Sequence, residues 1–240
     1  MQHILTENLL FIDIETVSEK ATYQNLTKNW QELWTEKTQR ILPSENTAAE
    51  FYEQRAGVMA EFAKVICISI GYFKYEGEVM QLRIKSFYAD EEKKVLQDFI
   101  ATLNQMEIQN NKWCFAGHNI KEFDIPFLCR RLLINGMPIP EYIDFQNMKP
   151  WETNSIDTFQ YWRFGDYKNY TSLKLLAAAL GIASPKDDID GSQVGEVYWK
   201  ENDLQRIVTY CQKDIITTAN ILLRFKNIPL IEHNNVVFVK

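Results

Sequence analysis

The sequence is poor in histidine, and this limits the catalytic sites that the chain is able to form. It contains only three histidines, at positions 3, 118 and 233. Three residues so far apart are too few for a histidine-rich metal site, and they exclude most mechanisms that depend on imidazole as the acid or base. Any metal bound by this chain is therefore expected to be held mainly by oxygen ligands.

Closely spaced cysteines are also lacking. The four cysteines are scattered, each lies within an apolar segment, and they form no Cys-x-x-Cys pair; they are Cys67, Cys114, Cys129 and Cys211. A zinc site or a dithiol redox site requires paired spacing, which is absent here. We therefore expect reduced cysteines that serve as small apolar residues of the core.

Long apolar runs are absent, and no stretch approaches the roughly 20 residues of a membrane span. The first eight residues, from Met1 to Asn8, lack the basic start and the small-residue cleavage site of a signal peptide. These features predict a cytoplasmic protein with no membrane partner.

The chain also has no excess of positive charge, since its formal net charge is −6. This argues against broad, non-specific binding to duplex nucleic acid, which depends on many lysine and arginine contacts to phosphate. A nucleic acid held at one end is not excluded, because divalent ions bound to acidic residues reverse the local charge and attract phosphate.

The 240 residues are 46% apolar and 13% aromatic, which is enough for one substantial core. We predict a single domain over residues 1–240. The stretch from Leu9 to Thr16 reads as a buried central strand that ends in two acids, Asp13 and Glu15. Because strand side chains alternate, both acids face the same way, and they require a proton, a basic partner or a cation.

A helical insertion is expected between this strand and the next, over residues 17–63. Apolar residues at helical spacing before Pro43 indicate a first helix, and Thr47 with Glu50 forms a capping-box pattern that begins a second. The apolar residues of the first helix are Trp30, Leu33, Trp34 and Ile41. Core packing is the preferred interpretation of these aromatic residues; stacking of Trp30 or Trp34 on a base is the alternative.

The rest of the chain alternates strand and helix patterns. Residues 64–73 and 78–88 predict a hairpin that turns at Gly77, a short buried strand is expected from Trp113 to Ala116, and a further apolar stretch contains Ser155 to Phe159. Helices are predicted from Asp90, from Asp124 to Gly136, over 173–180 and over 203–225, with a loop over 182–198 and a last edge strand over 236–239. This order predicts an α/β fold whose mixed sheet, with an antiparallel hairpin and parallel strands, is flanked by helices.

Two further acids occupy positions where secondary structure directs them toward the first pair. Asp124 begins a helix that follows a buried strand, and alone it would be read as an ordinary helix cap. Asp214 lies four residues after Tyr210 on the last long helix, so the two side chains share one flank beside its buried stripe.

The order of these segments resembles the DEDD superfamily of 3′-to-5′ exonucleases, in the subclass whose last motif carries tyrosine. Residues 11–16 (FIDIET) are similar to the first motif, residues 117–127 (GHNIKEFDIPF) to the second, and residues 210–214 (YCQKD) to the third. The second motif is most similar to the proofreading domain of family-B DNA polymerases. The resemblance implies a ribonuclease-H-like fold and, since no polymerase fits in this length, a stand-alone exonuclease or one that works with a partner.

The resemblance also implies roles for individual residues. Asp13, Glu15, Asp124 and Asp214 would hold two divalent cations, Mg²⁺ or Mn²⁺. Tyr210 would orient the attacking water or help to deprotonate it. Thr16 would contact the terminal nucleotide, and Asn119 would lie near the scissile phosphate. The implied reaction releases nucleoside monophosphates from the 3′ ends of single-stranded DNA.

Two alternatives remain open at this point. The substrate is RNA if the site recognises a 2′-hydroxyl, and no residue is identified for that contact. Otherwise the chain is a catalytically silent ribonuclease-H-like module that binds nucleic acid or another protein; four retained acids and Tyr210 count against this. Of the cations between the second and third motifs, one or two are expected to follow phosphates: Lys149, Arg163, Lys168 and Lys174.

Overall fold

A computed structural model of the chain describes residues 8–109, 113–149, 152–183 and 189–239. A six-stranded mixed sheet runs through it in the order β5-β4-β1-β2-β3-β6. The strands are β1 (Leu9–Ser18), β2 (Ala63–Glu76), β3 (Val79–Tyr88), β4 (Cys114–Gly117), β5 (Ser155–Asp157) and β6 (Val236–Val239). Strands β1, β2 and β3 pair antiparallel, and the β1–β4, β4–β5 and β3–β6 pairs are parallel. The predicted architecture, with Asp13 on an interior strand, is confirmed.

Helices cover both faces of the sheet. Strand β1 divides its apolar residues between them: Leu10, Ile12 and Ile14 join a core with the helices that follow β3 and β4, while Leu9 and Phe11 join a core with the last long helix. The helices are α1 (Lys28–Thr38), α2 (Ala48–Arg55), α3 (Glu92–Gln109), α4 (Asp124–Ile134), α5 (Thr158–Arg163), α6 (Leu173–Ala179), α7 (Val194–Glu196), which continues as a π-helical turn over Val197–Glu201, and α8 (Leu204–Phe225). None of the helices in the described ranges is long and apolar enough to cross a membrane.

Local capping signals explain where several helices begin. Thr47 and Glu50 form the predicted reciprocal capping box at the start of α2. Ser172 accepts a hydrogen bond from the Leu175 N–H at the start of α6, and Asp203 caps α8 in the same way. The predicted hairpin is also present, and Gly77 adopts the positive φ of 64° that its tight turn requires.

Two predicted elements differ from the structure. Helix α1 ends at Thr38, before Pro43, so Ile41 lies beyond the helix. Leu33 lies within the helix, but on its exposed side. The predicted loop over 182–198 is wrong at its end, because residues 194–201 are helical; residues 184–188 lie outside the described part. Val194 and Val197 are buried there against Ile207 of α8, a tertiary contact that the local sequence pattern does not reveal.

The segment between β1 and β2 forms a small aromatic core. Trp34 is fully buried, and its ring lies 5.1 Å from the ring centroids of both Tyr52 and Phe62. The Trp34 indole N–H donates to the Ala48 carbonyl at 2.9 Å. Packing is thus confirmed as the role of Trp34, whereas Trp30 is 41% exposed and contacts Phe62 edge-on.

Candidate active site

Strand β1 brings Asp13 and Glu15 together at the edge of the core beneath α8. One ligand oxygen of each carboxylate and the Cys211 sulfur all lie within 4.8 Å of one another. The Asp13 Oδ2 atom is buried and has no hydrogen-bond partner. Since a buried acceptor without a donor is costly, this oxygen is suited to a ligand that the protein chain does not supply.

Helix α8 places three residues of the third motif against this strand. Cys211 lies on the buried face of the helix, and its thiol donates to the Asp13 carbonyl at 3.5 Å. Tyr210 lies beside that face and donates a hydrogen bond to the Asp214 carboxylate. The predicted flank, on which Tyr210 and Asp214 lie together, is present.

The turn after β4 supplies the second motif. A Cβ atom at Gly117 would lie 2.9 Å from the Ile12 carbonyl oxygen and 2.1 Å from the Ile120 side chain, so only glycine fits this approach to β1. Asn119 adopts a left-handed φ of 64°, and its buried Oδ1 has no hydrogen-bond partner. Asp124 begins α4, and its Oδ1 accepts from the Ile14 N–H at 3.2 Å, which ties the second motif to β1.

These residues line one cleft of about 400 Å³. All of the predicted catalytic and metal-binding side chains are in its wall, together with Asn119; they are Asp13, Glu15, Asp124, Tyr210 and Asp214. The cleft is also lined by Tyr170, Lys174, Asp190 and Gly191. The fold therefore brings together three segments that are separated by about 100 residues each in the sequence.

The carboxylates in the cleft are held in an environment that disfavours their charge. Burial, and then repulsion from Asp214 and Asp124, raises the pKa of Asp13 well above its usual value. Burial and the neighbouring Asp13 have the same effect on the pKa of Glu15. Burial also raises the pKa of Asp124 to about 8, against hydrogen bonds that lower it. The set therefore gains stability from any positive charge that enters the cleft.

Tyr210 is not arranged as a free base. Burial, and then the negative charge of Asp214, raises the pKa of its phenol well above the ordinary value of about 10. A phenol with a raised pKa stays protonated at neutral pH, and its hydroxyl donates rather than accepts a proton. The geometry therefore suits Tyr210 to orienting a group in the cleft.

The donor set fits hard divalent cations. Such ions take oxygen ligands, and the cleft offers four carboxylates, of which Asp13 carries an unpartnered buried oxygen. The thiol of Cys211 is the only sulfur within the closest group of possible ligands in the described part of the chain. Its bond to the Asp13 carbonyl occupies the thiol proton.

Thr16 occupies a different position from the other predicted site residues. The register of the β1–β2 pair shifts between Glu15 and Thr16. The Thr16 hydroxyl donates to the Gly57 carbonyl at 2.6 Å, and Thr16 is not in the wall of the cleft as described. This bond joins the end of the first motif to the insertion.

Asp157 is a buried acid that the sequence analysis did not assign to the site. Its Oδ1 accepts from the backbone N–H groups of Asn119 and Phe159 at 2.9 and 3.0 Å, and its Oδ2 accepts from that of Lys121 at 3.1 Å. Asp157 thus fixes the turn that carries the second motif and also caps α5. The available signal was an acid between a short apolar strand and a helix, which is an N-cap pattern.

Two solved structures resemble this chain in fold. A family B DNA polymerase from the hyperthermophilic archaeon Pyrobaculum calidifontis matches with a TM-score of 0.54 and 16% identity, over 90% of this chain and 24% of the polymerase. The chain thus spans about a quarter of that protein's length. The yeast NOT1 MIF4G domain structure with CAF1 matches with a TM-score of 0.39 and 15% identity, over 97% of this chain and 84% of the other. The second score is too low to support an argument. No curated protein matches the chain.

A family comparison covers most of the sequence. Residues 58–230 match the family described as a predicted 3′-5′ exonuclease related to the exonuclease domain of PolB. The matched region contains the second and third motifs, and the first motif lies on β1, next to them in space. The polymerase fold and this match confirm the resemblance drawn from the motifs. The chain therefore belongs to the family of predicted 3′-5′ exonucleases related to the exonuclease domain of PolB.

Proposed function

We propose that this protein removes nucleoside monophosphates from the 3′ ends of single-stranded DNA by metal-dependent hydrolysis. The observation that carries the proposal is the Asp13 carboxylate, whose buried Oδ2 lacks a partner beside Glu15 in a cleft that also holds Asp124 and Asp214. A module that only binds has no use for uncompensated acids that oppose folding.

Asp13, Glu15, Asp124 and Asp214 would hold two divalent cations, Mg²⁺ or Mn²⁺. Bound cations of this kind supply activation of a water molecule and neutralisation of the charge on the leaving 3′-oxygen. The carboxylates themselves fix the position of the reaction between β1, α4 and α8.

The remaining predicted residues would hold the substrate. Tyr210 donates its single hydroxyl proton to Asp214, so its oxygen is suited to accepting a hydrogen bond from the attacking water. Asn119 lines the cleft, and its amide nitrogen is suited to a phosphate oxygen. The Thr16 hydroxyl already donates to Gly57, so its contact with the terminal nucleotide would be as an acceptor from the 3′-hydroxyl.

The test is degradation of matched 5′-labelled single-stranded DNA and RNA in Mg²⁺, Mn²⁺ or chelator. We expect a metal-dependent ladder that shortens from the 3′ end, with DNA degraded faster than RNA. Asp13→Ala should abolish it while the fold is retained, and the exposed acid Asp98 provides the matched control Asp98→Asn. Full activity of Asp13→Ala would overturn the proposal, and faster loss of RNA would change the substrate.

Tyr210→Phe separates the role of the phenol from metal binding. We expect slower turnover, by about ten- to a hundredfold, because one positioned hydrogen-bonding hydroxyl is lost. The metal concentration that gives half-maximal activity should not change, since the four carboxylates remain. An unchanged rate would remove Tyr210 from the mechanism.

A further inference from the structure

Three aromatic rings are exposed on the segment that joins α5 to α6. Phe164, Tyr167 and Tyr170 are 83%, 78% and 67% exposed. These are the largest exposed fractions among the large apolar side chains of the described residues. A single exposed apolar side chain is common, but three within seven residues form a patch that indicates a binding surface.

The segment is held in a defined shape by its own contacts. The Asp166 N–H donates to the Arg163 carbonyl at 2.7 Å, and the Asp166 carboxylate accepts from the Lys168 N–H and the Asn169 side chain, both at 3.0 Å. At its far end the Tyr170 ring packs edge-on against buried Phe159, with centroids 5.0 Å apart. The rings are therefore presented without a large cost of ordering on binding.

The segment is continuous with the proposed active site. Tyr170 lies in the cleft wall together with Ser172 and Lys174. His118 of the second motif makes a hydrogen bond of 3.0 Å from its Nε2 atom to the Thr171 carbonyl. Tyr170 therefore borders the cleft, and Tyr167 and Phe164 precede it on the same connection.

The segment also carries positive charge in an acidic protein. Residues 163–174 contain three cationic side chains and one acidic one, whereas the whole chain has a formal net charge of −6. The Arg163 guanidinium lies 4.0 Å from the Phe159 ring centroid and 5.6 Å from that of Tyr167. Cations interleaved with aromatic rings are the pattern by which single-stranded nucleic acids are held.

We infer that the exposed rings of Phe164, Tyr167 and Tyr170 form a stacking platform for the bases of the single strand that precede its 3′ end. The inference rests on the proposed function for the position of that end. Arg163 is paired with Glu122 at 2.8 Å and holds the segment in place, so Lys168 supplies attraction for phosphates. The rings stack on any base, so the platform gives affinity without sequence preference. It sets the length of strand that the protein engages.

The experiment compares oligonucleotide affinity at two lengths. Fluorescence anisotropy measures binding of single strands of about twelve and about three nucleotides, the longer within the size of known single-strand sites. The protein carries Asp13→Ala in Mg²⁺, so that the strands persist. We expect Phe164→Ser with Tyr167→Ser to weaken binding of the longer strand about tenfold or more and to leave the shorter one unchanged.

Matched controls separate the platform from general effects. Tyr75→Ser with Phe238→Ser removes one tyrosine and one phenylalanine ring from exposed positions on the sheet, away from the platform. This double variant should not change the affinity for either strand. Tyr167→Trp should keep or increase the affinity for the longer strand, because a larger ring still stacks.

Three results would overturn the inference: unchanged affinity of the double variant for the longer strand, equal loss at both lengths, or no strand binding by the parent protein. These results are independent of the degradation assay. A wild-type protein that degrades DNA while the double variant binds normally removes the platform alone. Normal length-dependent binding by a wild-type protein that degrades nothing removes the nuclease alone.

Discussion

Two carboxylates of this protein are buried in opposite ways. Glu92, at the start of α3, accepts four hydrogen bonds: Oε1 from the Val65 N–H at 2.7 Å and Arg131 Nε at 2.8 Å, and Oε2 from Arg131 at 2.6 Å and Asn135 at 2.7 Å. Asp13, on the central strand, has a buried oxygen with no partner. The Glu92 carboxylate thus has hydrogen-bond donors for both oxygens, whereas the Asp13 carboxylate lacks a donor for one of its oxygens.

The difference separates an acid that holds the fold together from one to which the proposed function assigns a cation. The Arg131 side chain also donates to the Ala60 carbonyl at 2.8 Å and approaches Glu19 at 3.4 Å. Glu92 and Arg131 therefore join the insertion, the sheet and two helices. At Asp13 the neighbouring groups are further acids, so the position opposes folding and is suited to binding a cation.

The largest expected effect is on the satisfied acid. Arg131→Met should lower the free energy of unfolding by about 3–5 kcal/mol, because it leaves Glu92 buried without its charge partner. Urea denaturation measures the change. Glu92→Met combined with Arg131→Met should recover most of the loss, since a buried pair replaced by apolar residues is often neutral. A stable Arg131→Met single variant would contradict this account of Glu92.

Asp157 offers an intermediate case, because it is satisfied and lies beside the cleft. Asp157→Asn should lower stability by about 1–2 kcal/mol through loss of the acceptor for Lys121 N–H. Turnover should also fall, since the turn with Asn119 is no longer fixed. Asp203→Ala, which removes the cap of α8, is the control that should change stability without changing turnover. Equal turnover in the two variants would exclude a positioning role.

Removing the charge of Asp13 should stabilise the fold, whereas the two preceding substitutions destabilise it. Asp13→Asn should raise the free energy of unfolding in chelator by about 1 kcal/mol, because repulsion among the cleft acids decreases. In Mg²⁺ the wild type should regain the difference, since only its full acid set binds the ion tightly. Thermal unfolding with and without metal measures both. A destabilised Asp13→Asn in chelator would show that Asp13 is compensated after all.

The smallest effect is expected at Cys211. Cys211→Ser should leave Mg²⁺-supported activity nearly unchanged, because hard cations take oxygen rather than sulfur. Inhibition by Zn²⁺ should weaken, since Zn²⁺ binds thiolate and carboxylate together and the three atoms lie within 4.8 Å. Activity assays with increasing Zn²⁺ measure the shift. Equal Zn²⁺ sensitivity would exclude the sulfur as a ligand.

Much of the fold was predictable because its signals are local. The apolar run of β1, the capping residues Thr47 and Ser172 and the hairpin glycine each act within a few residues, and each prediction is confirmed. The helical residues 194–201 were missed because their burial depends on Val17 of β1 and Ile66 of β2, more than 100 residues earlier in the chain. The periodicity of α1 also overstated its length, since Ile41 lies beyond its end and is exposed.

The candidate site follows the same division. The acids were recognisable by their motifs and their places on strands and helices, and the cleft brings them together. Asp157 was not recognised, because the N–H groups of Asn119 and Lys121 that it binds lie almost 40 residues earlier in the chain. The exposed ring platform was also hidden, since sequence alone does not distinguish a buried tyrosine from an exposed one.

The contact between the Cys211 thiol and the Asp13 carbonyl joins residues that are 198 positions apart. Such a distant contact closes late in folding, because the entropy of the intervening chain opposes it. During synthesis, the acids of β1 emerge long before α8, which carries Asp214. A growing chain therefore has no complete acid set until this helix has emerged and docked, and under the proposed function it does not cleave nucleic acid before then.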